Sequence, residues 1–134
     1  MVCIYCGGKT AVVNSRSQKK ANQTWRRRQC LDCQAVFTSV EAVDLPTSLL
    51  FKKDAKHSEP FQRDKLFISV YEACGHRKDA LRAATALTGT ALGKLLNGVQ
   101  QATLERPQVI GVVTEALKHF DKAAATYYTS YHPS

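Results

Sequence analysis

Acidic residues are scarce in this sequence. Its 134 residues include 11 Asp and Glu against 19 Lys and Arg, which gives a formal net charge of +8. It shows no cluster of carboxylates suited to magnesium and no nucleophile paired with a base, so we expect no catalytic residues and a protein that is not an enzyme. The basic excess suits a polyanionic partner, but charge alone favours nucleic acid and an ordinary solvated surface about equally.

Long apolar segments are absent as well. No run of about 18 apolar residues occurs, which is the length that indicates a membrane-spanning helix. Met1 stands directly before a cysteine motif, without the apolar segment of a secretory signal. We therefore expect a cytoplasmic protein with no membrane partner, whose cysteines stay reduced.

The standard phosphate-binding loops are missing too. Neither Gly-x-x-x-x-Gly-Lys-Ser/Thr nor Gly-x-Gly-x-x-Gly occurs. Lys52 and Lys53 lie at a predicted hairpin, and Lys65 lies in the first turns of the helix predicted after it. These lysines could converge on a polyphosphate, helped by the positive end of the helix. On spacing alone, ordinary surface lysines are the favoured interpretation.

Cysteine, by contrast, is concentrated in one pattern. Two Cys-x-x-Cys pairs, Cys3/Cys6 and Cys30/Cys33, lie within the first 33 residues. This spacing predicts one structural four-cysteine zinc site. A disulfide or redox pair is the less favoured alternative, and iron would use the same four thiolates. The fifth cysteine, Cys74, lies on the apolar face of a predicted helix and is expected to be buried.

The cysteine-rich region predicts a small β-domain. Residues 1–45 are too few to bury an adequate apolar core without a metal. Three strands are predicted around the cysteines, followed by a short linker, 46–48, at a proline. The predicted strands are Ala11–Val13, Trp25–Gln29 and Ala35–Val40, with a polar loop over Ser15–Thr24.

Residues 49–134 predict a second domain. Leu49–Phe51 and Glu59–Phe61 form a predicted β-hairpin, and about four helices follow. The helices are expected to run from Gln62 to Gly75, over Lys78–Leu87 with a stop at Gly89, from Thr90 onward, and from Pro107 onward. The tyrosine-rich tail, 127–131, either continues the last helix or forms an oligomer contact. The fold class is therefore α+β: a three-stranded zinc ribbon, then a hairpin with a helix bundle.

Basic residues cluster on the middle strand of the ribbon. Arg26 and Arg28 should face one way and Arg27 the other, because side chains alternate along a strand. With Arg16, Lys19 and Lys20 they could lay a basic strip along a phosphate backbone, or they could simply keep the strand soluble. Trp25 could stack on a base, but we expect it to cover the small core.

Taken together, these motifs resemble the NrdR family. Its members are bacterial repressors of ribonucleotide reductase operons, with an N-terminal zinc ribbon that binds DNA and an ATP-cone that senses ATP and dATP. The motifs that carry the resemblance are Cys3-x-x-Cys6, Asn14-Ser15-Arg16, Arg26-Arg27-Arg28-Gln29-Cys30-x-x-Cys33, Phe37-Thr38, Lys52-Lys53-Asp54, Glu59-Pro60-Phe61 and Lys65-Leu66. The sequence departs from the family at Asn14, at Gln62 and in the C-terminal tail.

The resemblance implies a zinc-dependent repressor that responds to ATP or dATP and works as a homo-oligomer near the nucleoid. Its partner would be a double-stranded operator. The implied DNA-binding residues are Arg16, Lys19, Lys20, Arg26, Arg27 and Arg28. The implied nucleotide-binding residues of an ATP-cone-like domain are Lys52, Lys53, Glu59, Phe61 and Lys65. Two alternatives remain open: an RNA-binding zinc-ribbon protein without nucleotide sensing, and an accessory protein that binds or hydrolyses nucleotides.

Overall fold

The computed structural model describes residues 1–133, and its fold is α+β, as predicted. The chain forms two compact units, an N-terminal unit over Met1–Val43 and a C-terminal unit from Asp44 onward. No helix within residues 1–133 is long and apolar enough to cross a membrane. Each unit has its own sheet and its own buried residues, so each is described separately.

The N-terminal unit is a three-stranded antiparallel sheet. Strands β1 (Thr10–Gln18), β2 (Gln23–Cys30) and β3 (Val36–Glu41) lie in the order β1-β2-β3. All three predicted strands are present, but β1 continues through residues that the sequence predicted as a loop. Arg16 and Ser17 pair with Trp25 and Thr24. Polar side chains are tolerated there because both faces of this end of the sheet meet solvent.

The N-terminal unit buries very little apolar surface. Over residues 1–43, which the structure describes completely, the buried residues are Cys3, Cys30 and Phe37. Tyr5 packs edge-to-face on Phe37, with ring centroids 6.5 Å apart. A core of this size does not offset the conformational entropy of about 40 ordered residues, so the sheet needs a further crosslink.

The C-terminal unit begins with short elements. Helix α1 (Leu45–Ser48) occupies the stretch predicted as a linker, with Pro46 in its first turn, where a missing N–H costs nothing. Strands β4 (Leu50–Lys52) and β5 (Ser58–Pro60) form the predicted hairpin. A third strand, β6 (Thr103–Glu105), pairs parallel to β4 and was not predicted, because three residues are too few for a period-two pattern.

Four longer helices complete the described part of this unit: α2 (Arg63–Ala73), α3 (Ala80–Asn97), α4 (Arg106–Phe120) and α5 (Lys122–Tyr131). The predicted stop at Gly89 is wrong, since α3 runs through it. Its buried stripe of Ala84, Thr88 and Leu92 continues at helical spacing across the glycine. Burial of that stripe outweighs the helix penalty of one glycine, which is about 1 kcal/mol.

The tail forms a helix of its own and does not extend α4. Asp121 has an extended backbone, and its carboxylate caps α5 by accepting from the N–H groups of Ala123 (2.9 Å) and Ala124 (3.2 Å). His76 Nε2 and Arg77 Nη1 also contact Asp121 Oδ2, at 2.8 and 3.0 Å. The hydrogen bonds from His76 and Arg77 hold the pKa of Asp121 well below its usual range. The turn between α4 and α5 is thereby tied to the loop after α2.

The core of the C-terminal unit lies between its helices and one face of its sheet. Leu95, Leu104, Leu117, Val70 and Val113 are among its largest fully buried side chains. Cys74 is fully buried in this core, as predicted, and burial raises the pKa of its thiol. Tyr128 brings α5 into the same core, with 2 % of its surface exposed. The tail therefore has a packing role within the chain.

Replacing Gly89 with Ala should stabilise the C-terminal unit. Gly89 is exposed in the middle of α3, and a Cβ added there meets no atom within 4 Å. We expect Gly89→Ala to raise the free energy of unfolding by about 0.5–1 kcal/mol, measured by urea titration of the helical circular dichroism signal. The reverse change at the exposed Ala86, Ala86→Gly, should lower it by a similar amount. A lower urea midpoint for Gly89→Ala would mean that α3 requires a glycine there.

Candidate metal centre and binding surfaces

Four cysteine sulfurs converge at one end of the N-terminal unit. The Sγ atoms of Cys3, Cys6, Cys30 and Cys33 all lie within 4.8 Å of one another. Cys3 and Cys33 are 3.7 Å apart and Cys6 and Cys30 are 3.4 Å apart. Four thiolates placed tetrahedrally at the zinc–sulfur bond length would stand about 3.8 Å apart, so the arrangement fits one zinc ion. These separations far exceed a disulfide bond of about 2.05 Å, and all five cysteines, each within the described residues, are free.

Each Cys-x-x-Cys pair is held by the same kind of turn. Cys3 N–H donates to the Gly8 carbonyl at 2.8 Å, and Cys30 N–H donates to the Ala35 carbonyl at 2.9 Å. The residue after each second cysteine has a left-handed backbone: Gly7 with φ 78° and Gln34 with φ 66°. The second turn therefore closes without glycine, at the cost of a strained glutamine.

Backbone N–H groups also point at the sulfurs. Tyr5 N–H donates to Cys3 Sγ at 3.4 Å, while Cys33 and Asp32 N–H donate to Cys30 Sγ at 3.4 and 3.3 Å. The N–H groups of Cys33 and Asp32 help to lower the pKa of Cys30 to about 7. Such donors stabilise a thiolate, which is the form that binds a metal. Within residues 1–133, no other group of three or more Cys, His, Asp or Glu residues could hold an ion.

One face of the sheet carries the side chain of Phe37. Arg26 and Arg28 lie on this Phe37 face, which also carries Cys30 and Ser39. Arg26 Nη1 is 3.1 Å from Glu41 Oε1, and Arg28 Nε donates to Ser39 Oγ at 2.9 Å. Both arginines are half-buried. The predicted alternation of the three arginines is thus observed, and two of them are engaged within the protein.

The opposite face, which we call the Trp25 face, carries Arg16, Trp25, Arg27, Thr38 and Val40. Arg27 Nη1 donates weakly to Thr38 Oγ1, at 3.4 Å. The expectation that Trp25 covers the core is wrong, because Trp25 lies on the side away from Phe37 and 45 % of its surface is exposed. Lys19 and Lys20 are exposed in the turn between β1 and β2.

The C-terminal unit contains a cleft of about 170 Å³. Of the predicted nucleotide residues, Glu59, Phe61 and Lys65 line it. Glu59 holds two lysines: its carboxylate lies 3.2 Å from Lys53 Nζ and 3.3 Å from Lys65 Nζ. The hydrogen bonds from Lys53 and Lys65 lower the pKa of Glu59.

Lys52 is not brought to the cleft. It pairs with Ser58 and Glu105, so its side chain lies on the opposite face of the small sheet from Phe51, Glu59 and Leu104. Lys53, one residue further on, is the lysine that reaches Glu59.

Sequence reasoning missed several residues of this cleft. Arg106, Ser69, Tyr128 and His132 line it together with the apolar Leu66, Val109 and Ile110. The rings of Tyr128 and His132 stack at 4.3 Å. Their spacing of four residues was a usable signal, since such residues share one face of a helix. This spacing was not used, because the sequence leaves open whether residues 127–131 form a helix or an oligomer contact.

Comparison with known proteins agrees with this architecture. Residues 1–41 match the family model for the N-terminal domain of NrdR-like transcriptional repressors, a zinc-ribbon family. The curated relatives include the transcriptional repressor NrdR of Symbiobacterium thermophilum, which is 34 % identical over 132 residues, covering 97 % of this chain and 85 % of the relative.

Two further relatives carry the same name. The protein of Sphingopyxis alaskensis is 33 % identical over 138 residues, covering 97 % of this chain and 83 % of its own length. That of Syntrophotalea carbinolica is 31 % identical over 131 residues, covering 97 % and 82 %. All three are named as transcriptional repressors and not as enzymes. With a zinc-ribbon match over the four-cysteine centre and this similarity along nearly its full length, the chain belongs to the NrdR family of transcriptional repressors.

Proposed function

We propose that this protein is a zinc-dependent, DNA-binding repressor whose C-terminal unit binds ATP or dATP and so controls repression. The observation that carries the proposal is the four-cysteine centre holding an arginine-bearing sheet, in a chain of the NrdR family. Its target would be the ribonucleotide reductase genes that the family resemblance implies. The protein would act in the cytoplasm, at the nucleoid.

Zinc would be held by Cys3, Cys6, Cys30 and Cys33 and would act as a structural crosslink. The ion joins the loop before β1 to the loop between β2 and β3. It thereby supplies the stability that the small apolar core lacks. Four thiolates saturate a tetrahedral zinc ion, which leaves no open position for a substrate.

DNA would bind to the basic residues of the N-terminal unit: Arg16, Lys19, Lys20, Arg26, Arg27 and Arg28. Their positive charge supports attraction to phosphates, and their arginines suit bidentate contacts with guanine. A repeated operator would be bound by ribbons from several copies of the chain, so spacing between copies would matter for affinity.

A nucleotide would bind in the cleft of the C-terminal unit. Its phosphates would meet Lys65, Lys53 and the N-terminal end of α2, displacing the carboxylate of Glu59 from its two lysines. The base would lie against Phe61 and the aliphatic wall of Leu66, Val109 and Ile110. Binding that favours one homo-oligomer over another would shift the spacing of the ribbons and hence operator affinity.

Removing zinc should unfold the N-terminal unit and leave the C-terminal unit folded. The helical unit buries an apolar core of its own and contains no residue of the metal centre. Treatment of the full chain with a chelator should therefore abolish DNA binding while the helical circular dichroism signal persists. Cys33→Ser should lose metal and Cys74→Ala should keep it, by elemental mass spectrometry. Full operator affinity in metal-free protein would contradict the structural role, and iron in place of zinc would be read directly from the same spectrum.

Replacing Arg26, Arg27 and Arg28 together with Ala should weaken DNA binding by roughly a hundredfold or more, because three positive charges leave the sheet. Fluorescence anisotropy with a labelled duplex, obtained by selection from a random-sequence pool, measures the change at fixed salt. Zinc content should stay unchanged. Unaltered affinity, or tighter binding of the wild-type protein to structured RNA than to duplex DNA, would overturn the assignment.

Lys65→Ala should lower the affinity for ATP or dATP by about tenfold, the effect expected from losing one charge-assisted hydrogen bond. Isothermal calorimetry measures it, with Lys94→Ala as the charge-matched control, since Lys94 is exposed on α3 and does not line the cleft. Affinity equal to that of the wild-type protein would place the phosphates elsewhere. Sustained phosphate release from ATP would favour a hydrolase instead of a sensor.

A further inference from the structure

The two faces of the ribbon sheet differ in what their arginines already contact. On the Phe37 face, Arg26 is paired with Glu41 and Arg28 is hydrogen-bonded to Ser39. On the Trp25 face, Arg16 has no acidic partner within the described residues, and Arg27 makes only a long hydrogen bond, 3.4 Å, to Thr38 Oγ1. Both are exposed, whereas Arg26 and Arg28 are half-buried. A guanidinium has five N–H donors, and one that is half-buried and already engaged within the protein has fewer of them left for a phosphate than an exposed one.

Two exposed apolar side chains, Trp25 and Val40, lie beside these arginines on the Trp25 face. Trp25 is opposite Arg16 on β1 and opposite Val40 on β3, and Arg27 lies two residues further along the same strand and face. Trp25 is 45 % exposed and Val40 is 52 % exposed. Trp25 Nε1 donates to Gln23 Oε1 at 3.3 Å, so the polar end of the indole has a partner while much of its ring remains exposed. Aromatic side chains in such positions contribute most when a partner buries them.

The Trp25 face presents hydrogen-bond donors and carries no acidic side chain. Asn14 Oδ1 accepts from Ser15 N–H at 2.8 Å, so the free end of its amide is the donating Nδ2. Asn14, Arg16, Trp25 and Arg27 line one shallow depression of about 130 Å³. The acidic residue of the three strands, Glu41, lies on the other face. A surface of donors around an aromatic ring is complementary to a partner rich in acceptors and negative charge.

We propose that the Trp25 face is the surface that lies against duplex DNA, with the indole of Trp25 buried against sugar and base edges. Arg16 and Arg27 bind phosphate or the acceptor edge of guanine on either side of the ring. This narrows the six basic residues proposed above, because Arg26 and Arg28 keep their contacts with Glu41 and Ser39 and add positive charge without touching DNA directly. The major groove of B-DNA admits two β-strands side by side, and Arg16, Trp25 and Arg27 lie on the neighbouring strands β1 and β2. The inference rests on the proposed DNA binding and assigns it to one face and to a residue outside the basic cluster.

The single tryptophan of the chain makes the proposal directly measurable. Trp25 emission, excited where tyrosine does not absorb, is followed while the full-length zinc-loaded protein is titrated with a dye-labelled duplex of mixed sequence. Anisotropy of the dye reports binding in the same samples. We expect Trp25 emission to change in step with the anisotropy, and the bound complex to resist quenching by acrylamide.

Single substitutions test which of the two faces contacts DNA. Trp25→Ala should weaken binding by about tenfold and Trp25→Phe by much less, since a smaller ring still covers the same surface. Arg27→Ala should cost about tenfold, and clearly more than Arg26→Ala. Lys118→Ala, which removes the same charge from α4 of the C-terminal unit, is the control for net charge.

The outcomes distinguish a failure of the Trp25-face assignment from a failure of the proposed DNA binding. If neither signal responds to duplex DNA, the proposed DNA binding itself fails. If anisotropy rises while Trp25 emission and acrylamide quenching stay unchanged, DNA is bound by another surface and the inference is overturned. A larger response with single-stranded DNA than with duplex would also overturn it, since the ring would then be a stacking platform for unpaired bases.

Discussion

Coordination by four thiolates is the constraint on which the N-terminal unit depends. Three buried residues, two of them metal ligands, cannot hold a sheet of three strands together. The cysteines sit in two turns at one end of the sheet, and their sulfurs lie at nearly the spacing that a tetrahedral ion requires. Because the crosslink is at the end, only the small core around Phe37 occupies one face of the sheet, and the other face can carry arginines and a tryptophan in solvent.

The C-terminal unit is stabilised in a different way. It has a continuous apolar core, and polar contacts fix its turns. Asp121 accepts from two backbone N–H groups of α5 and from His76 and Arg77 in the loop after α2. That carboxylate orients α5, which carries Tyr128 and His132 into the cleft. The cleft therefore depends on contacts of Asp121, His76 and Arg77, none of which lines it.

Patterns that act locally could be predicted from the sequence, and patterns that depend on distant residues could not. Cysteine spacing predicted the metal centre, and alternation along β2 correctly divided Arg26 and Arg28 from Arg27. The predicted helix stop at Gly89 is wrong because the helix penalty of a single glycine is smaller than the free energy gained by burying the stripe of α3. β6 could not be predicted because its three residues are too few to show a pattern and its pairing partner, β4, lies about fifty residues earlier in the chain. Trp25 was expected in the core because tryptophan side chains are usually buried. Only the pairing of β2 with β3 shows that Trp25 lies on the face opposite to the buried Phe37.

The parallel pairing of β4 with β6 also sets an order of assembly during synthesis. The N-terminal unit is complete once Val43 has left the ribosome, and its four cysteines can bind the proposed zinc ion at that stage. The small sheet of the C-terminal unit lacks its third strand until Thr103–Glu105 has emerged, and the cleft lacks Tyr128 and His132 until the last turn of α5 has been made. A growing chain thus carries a finished ribbon well before it carries the cleft, and contacts between residues so far apart in sequence form slowly. For that interval the ribbon is present without the element that is proposed to control it.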